Sequence, residues 1–154
     1  LLTIKPEKAT SDGDSGVKKG DYFVDLKHIE NKINPNVNAL IIKTQQDYSS
    51  LHEKTYNNTN WPYLTEEAAV YIREKGILHL LIDLPSVDKE KDDGQLLAHK
   101  AFWDVNGNIR TEATITEFIY VPNKVLDGSY ILNLQIAPFE NDATPSKPVL
   151  YKID

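Results

Sequence analysis

Residues 65–83 read TEEAAVYIREKGILHLLID and combine the signal for a helix with the signal for a strand. Thr65 is a favourable N-cap residue, and the two glutamates after it lie in the first turn, where the helix dipole favours negative charge. Apolar residues then recur at helical spacing as far as Gly76, which predicts the end of the helix. Residues 77–82 are almost entirely apolar, and this short run predicts a buried strand.

A second apolar run precedes this helix and completes a strand–helix–strand unit. Residues 39–43 read ALIIK, which predicts a buried strand parallel to the first one. Such units have a right-handed crossover, and the carboxyl edge of the sheet should lie at Thr44 and Asp83. Near the C-terminus, residues 129–137 and 148–153 predict an antiparallel pair. The sequence therefore predicts an α/β fold with a mixed, partly parallel sheet and flanking helices.

Other segments carry local signals. Residues 1–5 predict a short strand, residues 25–33 predict a helix, and residues 94–103 predict a second, shorter helix. Residues 112–120 are rich in β-branched and aromatic residues, and their pattern leaves strand and helix both open.

The composition is that of an ordinary globular protein, and it excludes several classes of function. The chain has 154 residues, of which 40% are apolar and 26% charged, enough for a single domain with a real core. A net charge of -6 would repel a nucleic-acid backbone, and no apolar run is long enough for a membrane span. The absence of cysteine excludes disulfides and thiolate zinc sites, and it is typical of a reducing, cytoplasmic compartment.

The start of the sequence is unusual. The chain contains no methionine, begins at Leu1 in a strand-like segment, and has no intact signal peptide. We therefore expect that an N-terminal part of a longer protein is missing from this sequence, because it was cleaved or belongs to a separate chain.

Carboxylates and an imidazole follow the second predicted strand. Asp83, Ser86 and Asp88 lie in the loop after it. His99 lies in the short helix, and Glu112 follows thirteen positions later. Parallel α/β sheets place their chemistry beyond the carboxyl ends of the strands, so this set is a candidate site. A structural explanation is also open, with the aspartates capping turns and His99 hydrogen-bonded at the surface. Ser86 lacks the Gly-x-Ser-x-Gly elbow of a serine nucleophile.

The order of these residues resembles the C-terminal half of the cyclase family of metal-dependent hydrolases, which includes bacterial kynurenine formamidase (arylformamidase) and isatin hydrolase. The resemblance runs from about residue 39 to the C-terminus. It rests on Asp83-Leu-Pro-Ser-Val-Asp88, Ala98-His99, Glu112 and Leu126-x-Gly128-x-Tyr130. It implies a fold of the swivelling β/β/α type. It also implies hydrolysis of a small amide, formamide or cyclic carbonyl by a metal-bound hydroxide, as in tryptophan catabolism.

The resemblance also implies roles for the candidate residues. His99 and Glu112 would be ligands of a divalent metal, zinc or manganese, and His99 is also a candidate for proton transfer. Asp83, Ser86 and Asp88 would lie close to the substrate. Members of this family commonly form dimers or larger assemblies, so we expect a homo-oligomer.

The chain departs from the family pattern in two places. Leu84 stands where the family usually has threonine, and the His-x-Gly-Thr-His-x-Asp motif is absent, because His28, His52 and His79 are isolated. A catalytic zinc ion normally takes about three protein ligands, so two should bind it weakly or not at all. We therefore expect an incomplete hydrolase that needs its missing N-terminal part as a partner. The alternative is a non-catalytic binding or assembly module.

Overall fold

The computed structural model of the chain describes residues 1–13, 16–44 and 55–153. The strands are β1 (Leu2–Thr3), β2 (Glu7–Lys8), β3 (Tyr22–Val24), β4 (Ala39–Lys43), β5 (Tyr63–Leu64), β6 (His79–Ile82), β7 (Thr114–Thr116), β8 (Tyr130–Ile136) and β9 (Ser146–Lys152). The helices are α1 (Leu26–Ile29), α2 (Glu66–Glu74) and α3 (Leu97–Trp103).

The strands form three sheets. The central sheet has the order β1-β4-β6-β7, and every neighbouring pair in it is parallel. In the second sheet, β3 pairs antiparallel with β2 and parallel with β5. Strands β8 and β9 form a two-stranded antiparallel ribbon, with Tyr130 opposite Lys152 at one end and Ile136 opposite Ser146 at the other. The predicted α/β fold with flanking helices is confirmed, as is the antiparallel pair near the C-terminus, although the expected mixed, partly parallel sheet is divided into three sheets.

The central strands are buried on both faces, which explains why their sequences are continuous apolar runs. Leu40 and Leu80 point into the main core, where the helices pack. Their neighbours Ile41 and Leu81 point to the opposite face and pack against the ribbon. Successive side chains of a strand alternate between its two faces, so one short run contributes to two cores.

Helix α2 follows the prediction closely. The Thr65 hydroxyl accepts a hydrogen bond from the amide of Ala68, and Ala68, Ala69 and Ile72 face the core. Lys75 is the C-cap residue, and the chain then turns at Gly76, whose φ of 76° is a conformation that glycine adopts without steric cost.

The predicted helix over residues 25–33 is wrong beyond Ile29. Glu30 leaves the helical region with ψ 132°, and Asn31 adopts a left-handed conformation with φ 60°. The amide of Asn31 then donates to the hydroxyl of Tyr71 on α2, at 3.0 Å. Ile33 is still buried, but it reaches the core from a turn.

Two strand predictions are refined. The strand expected over residues 1–5 is only Leu2–Thr3, at the edge of the central sheet. The ambiguous segment over residues 112–120 contains a strand, Thr114–Thr116, which pairs with β6 at the other edge. In the described ranges, no helix has the length and apolar character that crossing a membrane requires.

Candidate functional site

The carboxyl edge of the central sheet is organised by Asp83, the first residue after β6. Its carboxylate accepts hydrogen bonds from the amide of Thr44 at 2.9 Å and from the Thr44 hydroxyl at 2.8 Å. Thr44 directly follows β4, so Asp83 connects the ends of two neighbouring strands. Only 4% of Asp83 is exposed, and these bonds satisfy the buried carboxylate. This geometry gives Asp83 a structural role at the predicted edge.

Asp88 anchors the start of helix α3. Leu96, the N-cap residue, offers no side-chain acceptor, and its own φ is 50°. The Asp88 carboxylate, in the preceding loop, serves as the cap instead. It accepts hydrogen bonds from the amide of Ala98 at 2.6 Å and from the amide of His99 at 3.3 Å. The hydroxyl of Ser86 in turn accepts the amide of Asp88 at 3.2 Å. The loop after β6 therefore positions both the helix and the histidine that it carries.

His99 lies between two carboxylates. Its Nδ1 is 2.6 Å from Oδ2 of Asp88, and its Nε2 is 3.5 Å from Oε1 of Glu117. The imidazole also packs at 5.2 Å, between ring centroids, on Trp103 one turn further along α3. Burial would lower the pKa of His99, but the hydrogen bond to Asp88 and the charge of Glu117 outweigh it, so the pKa lies above its ordinary value.

Glu117 is the functional candidate that the sequence analysis missed. It directly follows β7, as Asp83 directly follows β6, so its carboxylate reaches the same edge of the sheet. Its Oε1 also accepts the amide of Val87 at 2.8 Å, which ties it to the loop that carries Asp88. The signal that could have found it is an acid immediately after a β-rich segment at the expected carboxyl edge.

The structure does not bring Glu112 to His99. Glu112 is exposed and precedes β7, whose first residue Thr114 lies opposite His79 at the amino end of β6. Glu112 therefore lies at the amino edge of the central sheet, where the parallel strands begin, and not at the carboxyl edge. The structure brings together Asp88, His99 and Glu117, with Asp83 at the end of the neighbouring strand.

The backbone after β7 is irregular. The amide of Phe118 donates to the carbonyl of Leu84 at 2.8 Å, while the amide of Ile119 donates to the carbonyl of Ile82 at 3.2 Å. Phe118 itself is left-handed, with φ 60°. The regular ladder is thus broken at Glu117 and Phe118, as in a β-bulge, and such breaks redirect side chains at strand ends.

The other histidines stand apart from this cluster. His28 caps helix α1 by accepting the amide of Asp25 on Nδ1, and its Nε2 lies 3.2 Å from Glu7. His79 pairs with the hydroxyl of Thr114 at 2.9 Å. His52 lies outside the described residues.

Two cavities of the described residues lie apart from His99. A cleft of about 810 Å³ lies at the amino edge of the central sheet, beneath the ribbon, with His79 and Leu132 among its walls. A smaller one of about 280 Å³ includes Asp88 and Lys89. Neither His99 nor Glu117 lines either space.

The residues around His99 supply only part of a metal site. Two ligands of a tetrahedral zinc ion lie about 3.3 Å apart, given zinc–ligand bonds of about 2.0–2.1 Å. The 3.5 Å between Nε2 of His99 and Oε1 of Glu117 matches that spacing. Over residues 1–13, 16–44 and 55–153, however, no group of three or more metal-ligating side chains is placed to hold an ion. The described side chains therefore do not complete a metal site.

Comparison with known proteins places the chain in a family. The family model named Cyclase matches residues 5–89, more than half of the chain. The chain belongs to the cyclase family. The match starts well before residue 39, where the resemblance was expected to begin, and it ends before His99. No curated protein matches the sequence.

Solved structures show the same fold. One, described as a potential metal-dependent hydrolase with cyclase activity, has a TM-score of 0.59 and 16% identity. Another, described as a predicted metal-dependent hydrolase from Bacillus stearothermophilus, has a TM-score of 0.54 and 17% identity. Each alignment covers 96% of this chain, which spans only 64% and 63% of the two relatives. At this identity, the likeness establishes the cyclase-like fold.

Proposed function

We propose that this cyclase-family chain is part of a metal-dependent hydrolase that cleaves a small amide, formamide or cyclic carbonyl, with arylformamidase as its nearest functional type. In this proposal the chain contributes the proton-transfer part of the active site through His99. The observation that carries it is the position of His99, bonded to Asp88 on one nitrogen and facing Glu117 with the other, at the carboxyl edge of the sheet.

The contact with Asp88 determines how His99 can act. Because Nδ1 donates to the carboxylate, the proton exchange with substrate falls to Nε2. Amide cleavage requires a proton for the departing nitrogen, and a positioned imidazolium supplies it. Asp88 fixes the orientation of the ring, as the third member of catalytic triads does, while the nearby charge of Glu117 favours the protonated form.

A metal and a proton would compete for the same atom of His99. If Nε2 binds zinc or manganese, it cannot also carry the proton to the leaving group. The described residues offer two metal ligands where about three are normal, so proton transfer is the role that we assign to His99. The metal of the complete enzyme would then draw its ligands from outside the described residues.

The second candidate is a binding or assembly module that keeps the fold without catalysis. It is favoured by the same incomplete set of metal ligands in the described part of the chain. In that case Asp88 and Glu117 would serve only to stabilise the loop and helix α3, which they do in either case.

The test is hydrolysis of formanilide, an aryl formamide, by the complete protein with added zinc or manganese. We expect His99→Gln to lower kcat by about 10²-fold or more, because general acid–base groups contribute about 10²–10⁴-fold. His79→Gln is the matched control, since that half-buried histidine pairs with Thr114 and lies at the other end of β6. Equal activity of His99→Gln and wild type would overturn the assignment. Binding of formanilide without turnover would favour the module.

A further inference from the structure

A cleft separates the β8–β9 ribbon from the central sheet at the amino edge, and we call it the amino-edge cleft. Its floor is the ribbon-facing side of the sheet, where Ala39 of β4 lies in register with His79 of β6. Its roof is the inner face of the ribbon, where Leu132 lies opposite Leu150. The volume of about 810 Å³ falls within the range of about 300–1,000 Å³ that is typical of small-molecule sites.

The roof of the cleft is apolar and incompletely packed. Leu132, Leu134 and Leu150 face the sheet, yet each of them is only half-buried. Ile41 and Leu81, on the sheet beneath, are fully buried. The ribbon thus covers the sheet while part of its own leucine surface stays open to the cleft. An apolar group that enters the cleft would remove this surface from water, which is favourable.

The cleft lacks negative side chains although the protein is acidic. The chain has 23 aspartates and glutamates against 17 lysines and arginines, yet none of those acids is among the described residues that line the cleft. Lys32, in the turn after α1, is the one lysine or arginine among them. Over the described ranges, its ammonium group has no salt-bridge partner. This charge distribution favours an anionic ligand over a cationic one.

Neutral polar groups accompany Lys32 in the lining of the cleft. Asn38 is exposed just before β4, and its carbonyl accepts the amide of His79 at 3.1 Å. His79 uses Nδ1 for the Thr114 hydroxyl at 2.9 Å, which leaves Nε2 as its second hydrogen-bonding atom. One cation with an amide and an imidazole suits a singly charged carboxylate, whereas a phosphate carries nearly two charges and three acceptor oxygens.

We propose that the amino-edge cleft binds an aliphatic carboxylate, with its chain between the ribbon leucines and the sheet and its head group at Lys32. The cleft lies at the opposite edge of the central sheet from His99, so the inference is independent of the proposed hydrolase function. Burial of the chain supplies most of the affinity, and Lys32 selects the charge of the head group.

The test compares three ligands by calorimetry with the complete protein. Octanoate carries both parts of the proposed ligand, 1-octanol keeps the chain without the charge, and hexanoate shortens the chain by two methylenes. We expect octanoate to bind more tightly than 1-octanol. Octanoate should also bind roughly 15-fold more tightly than hexanoate, because each buried methylene contributes about a factor of four.

Two variants probe the two ends of the site. Lys32→Gln should weaken octanoate binding about threefold to fivefold and leave 1-octanol unchanged, since an exposed ion pair contributes modestly. Its matched control is Lys19→Gln, at another exposed lysine outside the cleft, which should change neither ligand. Ala39→Leu adds bulk on the floor and should weaken both ligands by about tenfold, with urea unfolding as the check that the fold is retained.

Several outcomes would overturn the inference. They are a failure of octanoate to bind, and octanoate binding that Ala39→Leu leaves unchanged. Equal binding of octanoate and 1-octanol, with no effect of Lys32→Gln, would overturn the assignment of a carboxylate. If octanoate does not bind and Leu132→Asp dissociates a dimer in sedimentation, a second copy of the chain covers the cleft instead. Formanilide hydrolysis tests the proposed function separately, because the variants of the cleft leave His99 intact.

Discussion

The carboxylate of Asp88 holds His99 twice, through the backbone amide at 3.3 Å and through Nδ1 of the ring at 2.6 Å. One buried aspartate thus begins a helix and orients the imidazole that the helix carries. The stability of the loop and the chemistry of the site are coupled in this residue, because the same oxygens serve both.

Replacing Asp88 should therefore destabilise the fold. Asp88→Ala leaves the buried amide of Ala98 without its acceptor, and an orphaned buried donor costs about 1–3 kcal/mol. Asp88→Asn keeps one acceptor oxygen and should cost less. The measurement is the free energy of unfolding in urea, with Asp93→Asn as the control, since that aspartate is exposed. A loss in Asp88→Ala no larger than in the control would contradict the capping role.

Glu117 and Glu112 provide a matched pair of substitutions five positions apart. Glu117→Ala removes the acceptor of the Val87 amide in the core-facing loop, so we expect a loss of about 1–3 kcal/mol in unfolding free energy. Glu112→Ala removes an exposed side chain and should stay within about 0.5 kcal/mol of wild type. Hydrogen exchange of the Val87 amide gives a local check, because it should accelerate only in Glu117→Ala. If the two changes lowered the unfolding free energy equally, Glu117 would not be the stabilising acceptor of the Val87 amide.

The central βαβ unit could be predicted from sequence because its signals are local. Burial on both faces makes β4 and β6 continuous apolar runs, and Thr65 and Gly76 mark the ends of α2 by the chemistry of the helix termini. The excess length predicted for α1 has a tertiary cause: the amide of Asn31 bonds to Tyr71, forty residues away, and no local pattern contains that contact.

The candidate site could be predicted only in part for the same reason. Asp83, Asp88 and His99 could be placed near the end of β6 from sequence, because strand ends and the loops that follow them have local signals. Glu112 was named as a ligand through the family resemblance, and Glu117 was missed because spacing along the chain cannot show where a three-residue strand begins. Because β7 runs from Thr114 to Thr116, Glu112 lies at the amino edge of the sheet and Glu117 at its carboxyl edge.

Zinc should bind weakly to this chain. His99 and Glu117 are separated by the right distance for two ligands, but the described residues add no third one. In a calorimetric titration at pH 7.5, we expect a weak isotherm that His99→Ala abolishes, with Glu112→Gln as the unaffected control. Acidification should weaken it further, because the raised pKa of His99 makes the proton a stronger competitor for the ring nitrogen. Tight one-to-one binding that survives His99→Ala would locate the metal elsewhere.

Asp21 should make the fold sensitive to acid. Asp21 is only 4% exposed. Its carboxylate accepts hydrogen bonds from the amide of Lys18, the side-chain amide of Asn60 and the hydroxyl of Tyr63, at 2.8–2.9 Å. Lys89 lies 3.3 Å away as well. Burial alone would raise the pKa of Asp21, but these hydrogen bonds and the charge of Lys89 outweigh it, so the pKa in the folded state is lowered.

The sign of the pH dependence follows from that direction. An aspartate has a pKa of about 3.9 when unfolded, so the stabilisation from Asp21 is fully present above that pH. It is lost as the pH falls from there through the lower pKa of the folded state. We therefore expect Asp21→Asn to be less stable than wild type at pH 7 and to lose less stability between about pH 5 and pH 2. Urea unfolding at a series of pH values measures the stability at pH 7 and its loss in acid, with Asp93→Asn as a control at an exposed position. An acid dependence of Asp21→Asn as steep as that of wild type would show that Asp21 does not carry this part of the stability.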